Sequence, residues 1–238
     1  MKKMGVYLKM IRYLTIGKMK KKSKKRLDMN TKKVLYLGMI KGDNMISKKL
    51  VSDITNKIEQ HHKLYRFPVK AELWEDIFDQ SINGWDSSWD GGGHSTGADV
   101  VSEGKDKTRY QNKSGDVNLK KGTIKWNGHR TTSKKTIEEK IDFISQPHYD
   151  KYVMLGRDKK DWKQGIKRYY LMVFDASLIE YGKLDWVESF GKDGRVNGWK
   201  GNKDGLPYKA SISKSMSDQL WTECDIDYLG TKVEILID

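Results

Sequence analysis

Residues 168–177 read RYYLMVFDAS, a near-continuous apolar run between polar neighbours. A strand with one wet face alternates apolar and polar residues; a strand without alternation has to be covered on both faces. Tyr169 to Phe174 is therefore predicted to lie centrally in a sheet sandwiched between other layers. Tyr152 to Leu155 is a second such segment, joined to the first by a polar turn, GRDKKDWKQG. The spacing predicts helices over Ile46–His62 and Val69–Gln80 upstream, and over Thr131–Gln146 between the strands. The expected fold class is α/β: a mixed central β-sheet of four or five strands flanked by helices.

The first helix carries Leu50, Ile54 and Ile58 on one stripe, with Ser47 or Asp43 as a cap. His61 and His62, at its end, suit favourable charges at a helix C-terminus better than metal ligation. The second helix starts after Pro68 and buries Leu73, Trp74, Ile77 and Phe78. The third is capped by Ser133 or Thr132, buries Ile137, Ile141 and Ile144, and stops at Pro147. Lys134 and Lys135 in its first turn are placed to meet phosphates together with free backbone N–H groups.

At 238 residues the chain holds one domain with appendages. The formal net charge is +14, but residues 1–33 alone contribute +12 and the remainder only +2. Within that remainder, residues 105–135 sum to +8. Residues 1–45 are thus expected to be a basic, partly disordered extension, and 46–238 a single domain. The extension also holds seven of the ten methionines, so both a DNA-grasping arm and a later start at Met29 or Met45 fit it. A mean hydropathy of −0.77 and the lack of a ~20-residue apolar run exclude a membrane span and point to a cytoplasmic protein. Cys224 is the only cysteine, which excludes an internal disulfide and a cysteine-based zinc site.

The chemistry concentrates in Gly97–Gly115, GADVVSEGKDKTRYQNKSG. It is predicted to form a β-hairpin: Ala98 to Val101 as one strand, Ser102 to Lys107 as a turn with Gly104, and Thr108 to Lys113 as the other. Ser114-Gly115 then turns the chain. Period-2 alternation puts Arg109, Gln111 and Lys113 on one face and Tyr110 and Asn112 on the other. Pairing across the hairpin brings Asp99 beside Gln111 and Lys113. A carboxylate, an amide oxygen and an ammonium pack poorly, but they suit a Mg²⁺ ion and a water aimed at phosphorus.

Gly97-Ala98-Asp99 followed by Gln111-Asn112-Lys113 resembles the core of the PD-(D/E)XK nucleases. In that family an Asp ends one strand and a (D/E)-x-K tripeptide lies on the next. The variant with Gln in place of the second acid is similar to some type II restriction endonucleases and to Mrr-like nucleases. The resemblance covers roughly Glu72 to Asp175. It implies hydrolysis of double-stranded DNA with Mg²⁺, or Mn²⁺ as a substitute. Asp99, Gln111, the Asn112 backbone carbonyl and Glu75 would hold the metal, and Lys113 would orient the attacking water. Trp74-Glu75 resembles the family's aromatic-Glu pair on the preceding helix, which favours Glu75 over Glu72. Palindromic recognition would favour a homodimer, and a restriction system implies a cognate DNA methyltransferase. A modification-dependent Mrr-like nuclease, a repair or junction nuclease and a catalytically inactive DNA-binding protein are the alternative readings. A basic-tailed RNA-binding protein is a further one, for which no RNA-recognition motif is found.

Outside the hairpin, Ser81–Thr96 is a Gly-rich loop with Trp85, Trp89 and a candidate phosphate contact, His94. It lacks the Gly-Lys-Ser/Thr of a P-loop. Gly122–Arg130 is expected to be a short strand with a turn at Asn127-Gly128. Residues 176–238 form the candidate DNA-recognition region. There, Gly191–Lys209 reads as a flexible polar loop or hairpin with Arg195, Asn197, Lys200 and Lys203. Ala210–Leu220 suits either a strand or a helix, and Val233–Ile237 ends the chain as a strand.

Overall fold

The computed structural model describes residues 46–84, 98–103 and 107–237. Ser47 caps the first helix, α1 (Lys48–Leu64), its hydroxyl accepting from the Leu50 N–H at 3.1 Å. The buried stripe of α1 runs through Val51, Ile54, Ile58 and His61, so Val51 takes the place expected of Leu50. The second helix, α2 (Ala71–Ile82), buries Trp74, Ile77 and Phe78. Trp74 reaches the sheet beneath and donates its indole N–H to the Val153 carbonyl at 3.3 Å.

Ten strands follow among the described residues: β1 (Val100–Val101), β2 (Arg109–Asn118), β3 (Thr123–Arg130), β4 (Lys151–Asp158), β5 (Lys167–Asp175), β6 (Asp185–Phe190), β7 (Val196–Asn202), β8 (Tyr208–Ser213), β9 (Gln219–Asp225) and β10 (Thr231–Ile237). Helix α3 (Ile137–Ile144) links β3 to β4, and α4 (Lys159–Lys163) links β4 to β5. They form one mixed sheet in the order β10-β5-β4-β2-β3-β9-β8-β7-β6, with β1 added on β2. Only β2 and β4 run parallel.

The fold is α/β, but the expected sheet of four or five strands is corrected to ten. The strands that sequence reading missed lie in 176–238. In β7 to β9 the inward residues Trp199, Tyr208, Ala210, Ile212, Leu220 and Cys224 are buried. Apart from Trp221, their outward neighbours are mostly Lys, Ser, Asn and Glu, so at the level of composition the stretch looks like loop. Of the two readings of Gly191–Lys209, the hairpin is found: β7 pairs antiparallel with β6 and β8 on either side, and Ala210–Leu220, read as strand or helix, is divided between strands β8 and β9. The turns expected at Ser114-Gly115 and Asn127-Gly128 lie inside β2 and β3. The third helix starts at Ile137, later than expected, because Thr136 rather than Ser133 or Thr132 makes a capping box with Glu139.

Alternation along β4 and β5 builds a core on each face of the sheet. Val153, Leu155, Tyr169, Leu171 and Val173 pack against α1 and α2, beside Val233, Ile235 and Ile237 of β10. Tyr152, Met154, Tyr170, Met172 and Phe174 point the other way and share a second core with Ile144 of α3 and the inner residues of β7 to β9. The continuous apolar run is thus a strand covered on both sides, by helices on one and by α3 and the later strands on the other.

Lys140 of α3 is 1% exposed and ties the two ends of this second core together. Its ammonium donates to the Thr131 carbonyl at 2.8 Å and pairs with Asp218, before β9, at 2.9 Å.

Gly115 and Gly156 sit opposite each other in the parallel β2–β4 pair. A Cβ on Gly115 would lie 2.8 Å from the Lys125 carbonyl oxygen, so β3 approaches β2 more closely than any side chain permits. Gly115→Ala is expected to destabilise the protein by about 1–3 kcal/mol in urea denaturation. Gly182→Ala, whose Cβ would meet only the Ser145 hydroxyl at 3.7 Å, should change it by less than about 0.5 kcal/mol.

Candidate metal centre at a strand fork

One edge of β2 is taken by β4 along Tyr110 to Val117. The other edge is shared. β1 pairs with Arg109 and Tyr110, while β3 pairs only with Asp116 to Asn118 and then continues along β9. Between them, Gln111 to Gly115 have no strand partner on that edge among the described residues. Backbone N–H groups at such a fork still need acceptors.

Asp99 fills the gap. It immediately precedes β1 and is anchored there by its own N–H, which donates to the Tyr110 carbonyl at 2.9 Å. Its Oδ2 then accepts from the Asn112 N–H at 2.8 Å and from the Lys113 ammonium at 3.2 Å. The Gln111 carboxamide NH₂ donates to the same oxygen. The hairpin expected from the sequence is therefore present as β1 and β2, and it brings Asp99, Gln111 and Lys113 to one atom. Its turn at 104–106 lies outside the described residues.

Glu75 reaches the same place from α2. It is half-buried, and its carboxyl is pushed up to about 7. Burial is the main cause and the Asp99 charge the next, with the Lys113 ammonium pulling the other way. Glu72, one turn earlier, is exposed. The fork thus holds two carboxylates that repel each other and one cation that partly offsets them.

The donor set fits a hard divalent ion such as Mg²⁺, which takes one or two carboxylates, other oxygens and water. The clearest sign is the Gln111 Oε1, which is buried without a hydrogen-bond partner. The carboxamide of Asn112, 1% exposed, is likewise buried with neither end partnered. Orphaned buried amides are costly unless something occupies the site. No group of three His, Cys, Asp or Glu side chains gathers here or elsewhere among the described residues. A cation at this fork would rely on Asp99 and Glu75 for charge and on amide and peptide oxygens for the rest.

His129 forms a wall that sequence reading missed. Its ring stacks on Tyr149 with centroids 5.8 Å apart and meets His148 at 4.7 Å. Burial and the neighbouring His148 and Lys113 lower it to about 4, so it is neutral at physiological pH. The register of β3 is irregular between Asn127 and Arg130. Simple alternation from Ile124 and Trp126 turns Gly128 inward, where a Cβ would meet the Leu220 side chain at 2.7 Å, and predicts an outward His129, so no sequence signal marked this histidine. Tyr149 and Asp150 also line a cavity of about 770 Å³ with Tyr152, Asp175 and Glu180. Its carboxylates are already engaged: Asp150 by Arg109, Asp175 by Lys151 and Glu180 by Lys183.

Other sequence candidates have different surroundings. His61 is buried, with Nε2 on the Phe67 carbonyl at 2.9 Å, and His62 Nε2 meets the Tyr169 hydroxyl at 2.8 Å. Burial also lowers His62, so it is a hydrogen-bonded link rather than the helix-end charge expected. Lys134 and Lys135 precede α3 instead of opening it. The Glu139 carboxylate takes the Lys135 N–H at 2.7 Å, and the Lys134 ammonium lies 5.2 Å from the Phe143 ring centre. Arg195, Lys200 and Lys203 are exposed, Arg195 within 3.9 Å of Asp193 and Lys203 within 3.9 Å of Asp185. Asn197 is exposed on β7. Trp85, Trp89 and His94 lie outside the described residues. No described helix is long and apolar enough to cross a membrane. Comparison with protein-family models, curated proteins and solved structures finds no match to this chain.

The raised Glu75 carboxyl has a measurable effect on stability. Below its ordinary value of 4.5 both folded and unfolded chains are protonated, and above about 7 both are ionised. Between these limits only the folded chain keeps the proton, so its contribution is lost as pH rises. In metal-free denaturation, Glu75→Gln should therefore gain on the native protein from pH 4.5 to 7 and hold a constant advantage above that. A difference independent of pH would contradict the buried, repelled carboxyl.

Proposed function

We propose that this protein is a Mg²⁺-dependent endonuclease of double-stranded DNA, most simply a type II restriction endonuclease. The observation that carries the reading is the meeting of Gln111, Asn112 and Lys113 on one oxygen of Asp99, with Glu75 close enough to feel both charges.

Asp99 and Glu75 would hold the ion, assisted by the Gln111 side-chain oxygen and the Asn112 backbone carbonyl. When bound, the ion supplies positive charge to the phosphoryl oxygens and lowers the pKa of a bound water. Lys113 lies beside the same carboxylate, where its ammonium would orient an attacking water against phosphorus. The water oxygen bonds to phosphorus as the phosphodiester P–O bond to the leaving oxygen breaks; the water gives up one proton to solvent and the leaving oxygen takes one from solvent, becoming a hydroxyl. Asn112 fixes Asp99 through a backbone donor that no side-chain change removes. The stretch of sequence that holds Gln111 and Lys113, residues 105–135, carries a net +8, which suits a polyanionic substrate.

A second reading has an observation of its own. Gln111 contributes a neutral oxygen where the resembled motif has an acid, which fits a DNA-binding protein without cleavage. It predicts salt-sensitive binding and no cutting with either Mg²⁺ or Mn²⁺.

Digestion of a plasmid with the purified protein, with and without Mg²⁺, separates the two. Asp99→Ala and Lys113→Ala should each lower cleavage by at least ~100-fold, an effect of the size seen when a preorganised charge is removed. Circular dichroism should stay near native in both, while Asp99→Ala, which leaves the Asn112 N–H without its acceptor, should lower Tm by a few degrees. Full activity in either variant would refute the site. Ionised Glu75 is needed for ion binding, so the Mg²⁺ concentration for half-maximal cleavage should fall as pH rises towards 7 and level off above it.

A further inference from the structure

Helices α1 and α2 cover only half of one sheet face, the half formed by β10, β5, β4 and β2. The same face continues over β3, β9, β8 and β7, and there nothing covers it among the described residues. Its side chains follow from alternation. Where Ile124, Trp126, Leu220, Cys224, Ala210 and Trp199 point into the core, their neighbours point out.

Cross-strand register arranges these outward residues in rows. Asn127 is opposite Trp221, Trp221 opposite Ser211, and Ser211 opposite Lys200. The next row sets Lys125 opposite Glu223 and Glu223 opposite Lys209. A groove of about 310 Å³ runs along them, bordered by Lys125, Lys200, Asn202, Lys209 and Trp221. That is at the lower end of the roughly 300–1,000 Å³ typical of small-ligand sites. Lys125, Lys200 and Lys209 are exposed, against one acid, Glu223, which is 3.2 Å from Lys209. The Lys125 ammonium lies 5.2 Å from the Trp221 ring centre, so a cation already marks the open face of that ring.

We infer that this groove binds an unpaired nucleotide of a DNA strand, its base stacked on Trp221 and its flanking phosphates met by Lys125 and Lys200. A base entering the groove displaces the Lys125 ammonium from the ring towards the adjoining phosphate. Stacking on an aromatic platform between lysines is tolerant of sequence, because every base has a π-face. Asn127, Asn202 and Ser211 add hydrogen-bonding groups around the ring. The choice of DNA rests on the function proposed above; the stacking site itself does not use the chemistry at Asp99.

The test uses the full chain carrying Asp99→Ala, in EDTA, with fluorescein-labelled oligothymidine read by anisotropy. Adding Trp221→Ala should weaken binding by about tenfold or more, and Trp221→Phe should restore most of it. Lys125→Glu and Lys200→Glu should each weaken binding and flatten its salt dependence. A blunt duplex of equal length should be indifferent to Trp221→Ala. Unchanged oligothymidine binding in Trp221→Ala, or an equal loss for the duplex, would overturn the inference. Plasmid cleavage by the parent protein is measured separately, so loss of the nuclease reading leaves this result interpretable.

Discussion

A single peptide N–H, that of Asn112, sets the arrangement at the heart of this molecule. It belongs to a strand edge that β1 has already left and β3 has not yet joined. In a buried setting it needs an acceptor, and the nearest chain segment offers a carboxylate. Once Asp99 is drawn in, its negative charge attracts the Lys113 ammonium and raises the proton affinity of Glu75. A backbone requirement thus gathers the charged groups, and the chemistry rests on the geometry of the fork more than on any one side chain. Gly115 belongs to the same account, since it lets β3 close onto β2 just beyond the fork.

What could be read from the sequence followed from how local each signal was. The apolar run in β5, the stripe of α2 and the period-2 hairpin are each decided within a dozen residues, and each is found where expected. The pairing of Asp99 with Gln111 and Lys113 is equally local. Features that depend on distant partners were not legible. The capping box at Thr136 competed with plausible caps at Thr132 and Ser133. Asn127-Gly128 has the composition of a turn, but pairing with β9 carries the chain through it. Most of all, β6 to β9 have few aliphatic residues, and β7 carries two glycines, so they are weak strand signals. Trp199, Tyr208 and Leu220 become core only because the opposite face of β4 and β5 needs covering. The sheet was underestimated because its second half is stabilised by tertiary burial, not by intrinsic propensity.

The same alternation that fills the two cores leaves one sheet face half-dressed. Helices stop at β2, and beyond it the outward side chains are lysines, asparagines and a tryptophan rather than a second apolar stripe. Such a surface is stable in water without a covering layer, and it gives the molecule a broad, weakly structured polar face on the β3 side of the fork.

The position of β10 has a consequence for biosynthesis. Residues 231–237 supply three side chains to the core beneath α1 and α2, and they pair with Lys167 to Val173 of β5. A nascent chain emerging from the ribosome therefore exposes one edge of its most apolar strand until residues 231–237 have been made. During that interval β5 can be paired incorrectly, and the acid–base network of Arg168 with Asp161 and Glu234, which spans this edge, can close only when β10 arrives. Maturation of the helical side in this sense waits for β10, more than fifty residues after β5.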